Sequence, residues 1–439
     1  MIGTTLALVA CVSPPPAQPG TAEVANPDDP YASNSHGPAP LDCPELSVRQ
    51  GPLDLWGETA TTDAEAFCDE YNVATGGVVV WGTDWEDLTA LSCLCDPGSF
   101  FSVTENEALT SLRGLDHLHG NASLSVLVYD NPLLSSLEGL VDIQELYSFT
   151  VQRSNAMTTV DGFPTGMPTD RIEVQWLPNL QDFSAMKEWT VVPGRLTLDG
   201  LPYLTDLSPL ENLVAVGSLS LTDLPITSLD GLGAIEHADY VKVEGSEQFV
   251  TVDGLANSVG IGGLGLLYLP SLERLTGFPA GLELPYLVIW DTSLTSLHGL
   301  QDVSGLERLS LIENRSLESL SGLPPSLARV GEWRIHDNPQ LSDLSALSTV
   351  TYVDDLDMYG SNRIASIEPL GNVRTIDNVR LRDMPLLTDL TPLYGVQDIS
   401  GYLWIQGSDA ITEQDCEGLE AALDANGIWT YQDLDCEYF

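Results

Sequence analysis

Basic residues are scarce in this chain. Sixteen lysines and arginines stand against 64 aspartates and glutamates, a formal net charge of −48 at pH 7, and only two of the sixteen are lysine. Nucleic acid is thereby excluded as a partner, because neutralising its phosphates takes a basic stripe that the sequence does not have. Charge of this size keeps a surface solvated; it also suits Ca2+ or a basic partner, and Asp354-Asp355-x-Asp357 is the candidate contributor to a calcium site. No EF-hand or nonapeptide calcium spacing accompanies it. Apolar runs of 18 or more residues are also missing, so no segment reads as a membrane-spanning helix.

Catalytic signatures are equally thin. The six histidines (His36, His117, His119, His237, His298 and His336) are scattered, with no H-E-x-x-H, G-x-S-x-G or P-loop around them. Gly260-x-Gly262-x-x-Gly265 spells the dinucleotide fingerprint, but it precedes a strand and opens no helix, so these read as turn glycines. Paired acids can support glycosidase chemistry, yet among 64 acids a pair carries no information. The sequence predicts a non-enzyme without a cofactor.

What is present is a repeat. From Phe101 onward an apolar-x-apolar pair recurs every 22–25 residues, at Val126, Phe149, Ile172 and so on to Val379 and Leu403. Its clearest copies are Leu309-x-Leu311-x-x-Asn314-x-x-Leu317-x-x-Leu320-x-x-Leu323 and Val126-x-Val128-x-x-Asn131-x-x-Leu134-x-x-Leu137-x-x-Leu140. The leading step of two is strand spacing; the later step of three suits a turn and short helical arc. Ser208-Pro209 and Thr391-Pro392 place a capping hydroxyl before a proline in that arc. Gly114, Gly139, Gly299 and their equivalents suit a positive φ or close coil-to-coil packing. A fixed period in this range means a stacked solenoid.

The L-x-L-x-x-N-x-x-L-x-x-L-x-G-L spelling resembles leucine-rich repeats, and more closely the receptor L domain, over roughly residues 75–410. The resemblance implies a right-handed β-solenoid of about 14–15 coils and a ligand-binding rather than catalytic role. Two features depart from it: leucine replaces asparagine at Leu177, Leu201, Leu224 and Leu269, so no continuous asparagine ladder runs through the middle, and the copies at Leu219 and Leu287 are one residue short at the turn, which should shift local curvature.

Cysteines are absent from the whole repeat region. Cys43, Cys68, Cys93 and Cys95 precede it, and Cys416 and Cys436 follow it. An even count at both ends reads as disulfide-bonded caps made in an oxidising compartment. We expect Cys416–Cys436 to close a short helix at about 416–426. Among the front four the expected pairs are Cys43–Cys68 and Cys93–Cys95, although spacing does not decide connectivity. Zinc at Cys93-x-Cys95 has the wrong ligand spacing. The seventh, Cys11, ends Leu8-Val9-Ala10-Cys11, which resembles a bacterial lipobox and implies lipidation. The expected organisation is a signal peptide at 1–10, a lipidated tether at 11–41 rich in Pro, Ala, Ser and Asn, an N-terminal cap with a degenerate first coil at 42–100, the solenoid at 101–407 and a C-terminal cap at 408–439.

The register locates the third residue after each strand start, which points outward. In the first half these are mostly polar: Thr104, Tyr129, Gln152, Gln175, Asp199, Thr222 and Glu244. They then change to Leu267, Trp290, Ile312, His336, Tyr359 and Arg382. Val288, Arg334, Arg380 and Trp404 fall beside them. Side chains on neighbouring strands lie about 5 Å apart, so one exposed stripe of aromatics and arginines is expected, the composition of a binding hot spot. The sequence thus predicts an outer-membrane or cell-surface lipoprotein of a Gram-negative bacterium, held to the membrane by its N-terminal lipid alone. Its sheet face would bind an extracellular protein or glycan. The alternatives are a structural or adhesive envelope protein without a discrete ligand, and a carbohydrate-active enzyme.

Overall fold

Every apolar-x-apolar pair becomes the inward face of a short strand. The computed structural model describes residue 43 and residues 46–163, 169–255, 257–428 and 434–436, the last three as backbone. Strands pair in parallel, each with the next along the chain. Leu53–Trp56, Val78–Trp81, Phe100–Thr104 and Ser125–Tyr129 begin the series, and Thr375–Arg382, Asp398–Gln406 and Leu434–Cys436 end it. The result is one long all-parallel sheet with few helices, which fits a β-solenoid. Burial alternates along each strand: Val126 and Val128 are buried while Ser125, Leu127 and Tyr129 between them are only half so. The step-of-three leucines, such as Leu134, Leu137 and Leu140, close the same core from the opposite side.

Each strand ends on a left-handed residue. Glu105, Asp130, Arg153, Trp176, Asp223, Tyr268 and Asp291 all have φ between 50° and 56°, and Gly82, Gly200 and Gly245 take the same place in other coils. Most residues adopt this conformation at a cost, so here the stacked coils impose it. The next residue inward is the asparagine or small position. Asn314 accepts hydrogen bonds from the Thr292 amide (3.1 Å) and hydroxyl (2.7 Å), and donates to the carbonyls of Ile289 (2.9 Å) and Ile312 (3.1 Å). Asn338 continues the ladder by accepting from the Asn314 amide at 3.0 Å. In the middle coils Leu177, Leu201, Leu224 and Leu269 fill the site with buried hydrocarbon instead.

The arc glycines have both properties expected of them. Gly299 has φ +123°, and a Cβ there would strike the Leu275 carbonyl of the preceding coil. The arcs differ from expectation in how they begin. The Ser208 and Thr391 hydroxyls make no capping bond; their amides donate instead to Asp206 and Asp389 Oδ1, each at 2.9 Å. The carboxylate two residues earlier reaches the amide, and hydrogen bonds from the Ser208 hydroxyl and then its amide hold the Asp206 carboxyl below the usual carboxylate range.

The N-terminal cap holds more than a degenerate coil. Leu53–Trp56 forms a strand one coil earlier than the sequence suggested, and a helix at Ala60–Glu70 lays Ala60, Ala64 and Phe67 on the core. The front disulfides are Cys43–Cys95 and Cys68–Cys93, correcting the expected Cys43–Cys68 and Cys93–Cys95. The solenoid period gives the reason. Cys68 and Cys93 are 25 residues apart, one coil, which stacks their Cα atoms 5.5 Å from each other; Cys43 and Cys95 are 52 apart, two coils, at 6.2 Å. At the other end the helix runs Glu413–Ala425, starting before Cys416 because Thr412 and Asp415 form a capping box. Cys416 is buried and disulfide-bonded; the side chain of Cys436 lies outside the described residues, as do Cys11 and the whole of residues 1–41. No described helix is long and apolar enough to cross a membrane.

Candidate functional site

The six stripe residues fall in one unbroken column. Pairing sets Leu267 beside Trp290, Trp290 beside Ile312, Ile312 beside His336, His336 beside Tyr359 and Tyr359 beside Arg382. The second outward column runs Val288, Ser310, Arg334, Asp357, Arg380 and Trp404. A repeat that holds strand length and turn conformation constant keeps the same position outward in every coil, which is why these residues meet.

The side chains are half-buried rather than freely exposed, because each rung covers the next. The Trp290 ring packs 5.2 Å from that of Tyr268, and its indole N–H is buried with no acceptor among the described residues. Arg382 lies over both the Tyr359 ring (5.4 Å) and the Trp404 ring (5.9 Å). Arg380 stacks on Tyr402 at 4.6 Å.

Asp357 sits among these cations. It accepts from Arg382 Nη2 at 2.9 Å, and lies 3.4 Å from His336 Nε2 and 3.9 Å from Arg380 Nη1. Burial pushes its carboxyl up, but the contacts with His336 and Arg382 outweigh this and hold it below the ordinary value. Asp355 pairs with Arg380 (3.1 Å) and Asp354 with Arg329 (2.6 Å), whose guanidinium also stacks on Tyr352 at 4.6 Å. The three carboxylates expected to contribute to a calcium site are therefore each turned to an arginine. Among the described residues no group of three or more His, Cys, Asp or Glu side chains converges as metal ligands. Arg334 differs from its neighbours: it is exposed and, among the described residues, makes no ion pair.

A cleft of about 820 Å³ opens at the N-terminal ends of the same strands, between Glu307, Arg308, Leu327, Arg329 and Glu332. It borders the stripe without containing it. Arg308 and Glu332 pair across it at 3.2 Å.

The outward column also extends past the residues singled out from sequence. Trp56 pairs with Trp81 and Trp81 with Thr104, so two further tryptophans lead it at the capped end. They lie 25 residues apart, one repeat interval, and each stands three positions after its strand start. That signal was available, but Leu53-x-Leu55 is followed by a helix instead of the step of three and escapes the repeat pattern.

No family model matches this chain, and no curated protein matches it. Among solved structures, a leucine-rich-repeat protein of Leptospira interrogans is similar at 13% identity and a TM-score of 0.31, covering 80% of this chain and 91% of that one. A likeness of that size carries no argument by itself. The solenoid-like leucine-rich-repeat fold rests on the repeat and the parallel sheet.

Proposed function

We propose that this chain is a lipid-anchored protein of a Gram-negative cell surface, and that its sheet face binds an extracellular macromolecule rather than catalysing a reaction. In this reading the coils form a right-handed, receptor-L-domain-like solenoid of 14–15 turns, and Cys11 carries the lipid. The single observation behind the binding assignment is the column from Leu267 to Arg382, with aromatic rings and guanidinium groups in contact across successive strands. Rings and arginines fixed in register present apolar area and charged donors at little entropic cost, as interface anchors do. A protein or a glycan would both find contacts; the arginine content favours a protein. One observation supports a structural envelope role instead: Arg380 and Arg382 are already neutralised by Asp355 and Asp357.

Arg334 and Tyr359 make the test. Arg334→Ala removes an exposed cation without breaking an ion pair. Partners captured from envelope fractions or a glycan array by the intact protein should bind at least about tenfold more weakly to Arg334→Ala and Tyr359→Ala. Thr222→Ala, on the same face outside the stripe, should bind normally. Unchanged affinity of every partner for both stripe variants refutes the site. Cys11→Ser should separately abolish acyl labelling and membrane fractionation; full retention in the membrane refutes the anchor.

A further inference from the structure

The capped end of the sheet carries a second surface, unlike the stripe in exposure and charge. Trp56 and Trp81 are 61% and 48% exposed, so these indoles stand further into solvent than any aromatic of the stripe. They occupy adjacent strands in direct register, about 4.8 Å apart, and Tyr129 follows two strands on, about 10 Å beyond Trp81.

Polar contacts hold these rings in place. The Trp81 indole N–H donates to Glu105 at 3.0 Å. Arg153 donates to the Tyr129 hydroxyl at 3.0 Å and lies between the Tyr129 and Trp176 rings, at 5.6 and 5.0 Å from their centroids. Its charge is therefore spent on ring faces.

The two outward columns that carry the rings are sparse in charge, with Glu105 and Asp130 standing at the next position along. From Trp56 to Gln175 the first outward column contains no charged residue: Thr104, Gln152 and Gln175 supply hydroxyl and amide groups between the aromatics. The second column runs Asp54, Val79, Ser102, Leu127, Thr150 and Glu173, charged only at its two ends. In a chain of net charge −48 this is an exception.

We propose that this face binds a neutral polysaccharide laid across the strands. The apolar faces of its sugar rings would stack on Trp56, Trp81 and Tyr129, and its hydroxyls would bond to Thr104, Gln152 and Gln175. Two strand spacings are comparable to the length of a disaccharide, so one chain would meet successive rings along the column. Between Asp54 and Glu173 the two columns offer a charged partner no counter-charge, Glu105 and Asp130 lying beside them, and a neutral hydroxylated chain needs none. The site is separate from the stripe and does not depend on the reading given to it.

Affinity electrophoresis of the full chain tests this, in native gels containing hydroxyethyl cellulose, galactomannan or dextran, with polygalacturonate as the anionic comparison. At least one neutral polymer should retard the protein, and about 1 M salt, where screening extends only about 3 Å, should not abolish the binding. Trp56→Ala and Trp81→Ala should each weaken retardation by about tenfold; both positions are exposed, so circular dichroism should show the fold unchanged. Trp81→Phe should keep part of the retardation, and Arg334→Ala should leave it intact. The proposal is overturned if none of the three neutral polymers retards the native protein, if the tryptophan variants migrate like it, or if only polygalacturonate binds and salt releases it. Loss of a protein partner in the tryptophan variants without polysaccharide binding overturns it equally.

Discussion

Replacing Asn314 by alanine should cost far more than its modest size suggests. Its side chain satisfies the Thr292 amide and hydroxyl and the carbonyls of Ile289 and Ile312, all in the buried turn between coils. Alanine removes the acceptor of the Thr292 amide and hydroxyl and one donor from each of the two carbonyls. An orphaned buried polar group costs about 1–3 kcal/mol, and relaxation keeps four from adding fully, so the expected loss is about 3–5 kcal/mol. At about 1.4 kcal/mol per tenfold, hydrogen exchange at the Thr292 amide should accelerate by two to three and a half orders of magnitude. Local exchange is the right assay, because a long repeat array need not unfold in one step. Ser361, which holds the same position two coils on, gives the control: among the described residues its hydroxyl has no hydrogen-bond partner, so Ser361→Ala should cost less than about 0.5 kcal/mol. Asn338 accepts from the Asn314 amide, so Asn314→Ala and Asn338→Ala should couple by more than about 0.5 kcal/mol. Equal effects of Asn314→Ala and Ser361→Ala would refute the argument that the ladder carries these coils.

Removing Cys68–Cys93 by a double serine substitution opens a 25-residue loop, and the chain-entropy relation gives about 3.5 kcal/mol; exchange should rise first at Val78–Trp81, and uniform loss of protection along the chain would contradict this. Asp357 titrates below its ordinary value, so its contribution is fully present above about pH 4 and is lost as pH falls through the lower, folded value. Melting temperature should therefore fall more steeply below about pH 4 in the native protein than in Asp357→Asn, and parallel curves would show that the Arg382 and His336 contacts contribute nothing.

The parts of this molecule that repeat could be read from the sequence, and the parts that break the repeat could not. Leu309 and Leu311 announce a strand because burial alternates with period two, and a constant turn carries that register through all the coils; the column from Leu267 to Arg382 followed from it. The same logic, applied to cysteines, would have found Cys68 and Cys93, one coil apart. The left-handed residues were hidden, since Trp176 and Tyr268 have no intrinsic preference for positive φ and adopt it only under the constraint of stacked neighbours. The helix at Ala60–Glu70 was hidden for the opposite reason: two of its three core contacts are alanines, too small to mark a periodic apolar face. Exposure was misjudged at Trp290 because register gives direction and says nothing of how much neighbouring side chains cover.

The two front disulfides also decide how the molecule bears load. A coil of about 23 residues, once peeled from its neighbour, pays out about 80 Å of chain, so a pulled solenoid lengthens in steps. Cys43–Cys95 and Cys68–Cys93 each span whole coils, so tension entering on the N-terminal side passes from residue 43 to residue 95 through covalent bonds. The coils between them cannot peel, and the first length released lies beyond Cys95. Any tether on that side would therefore pull on an inextensible collar, and the hydrogen-bonded ladder would begin to unravel only behind it.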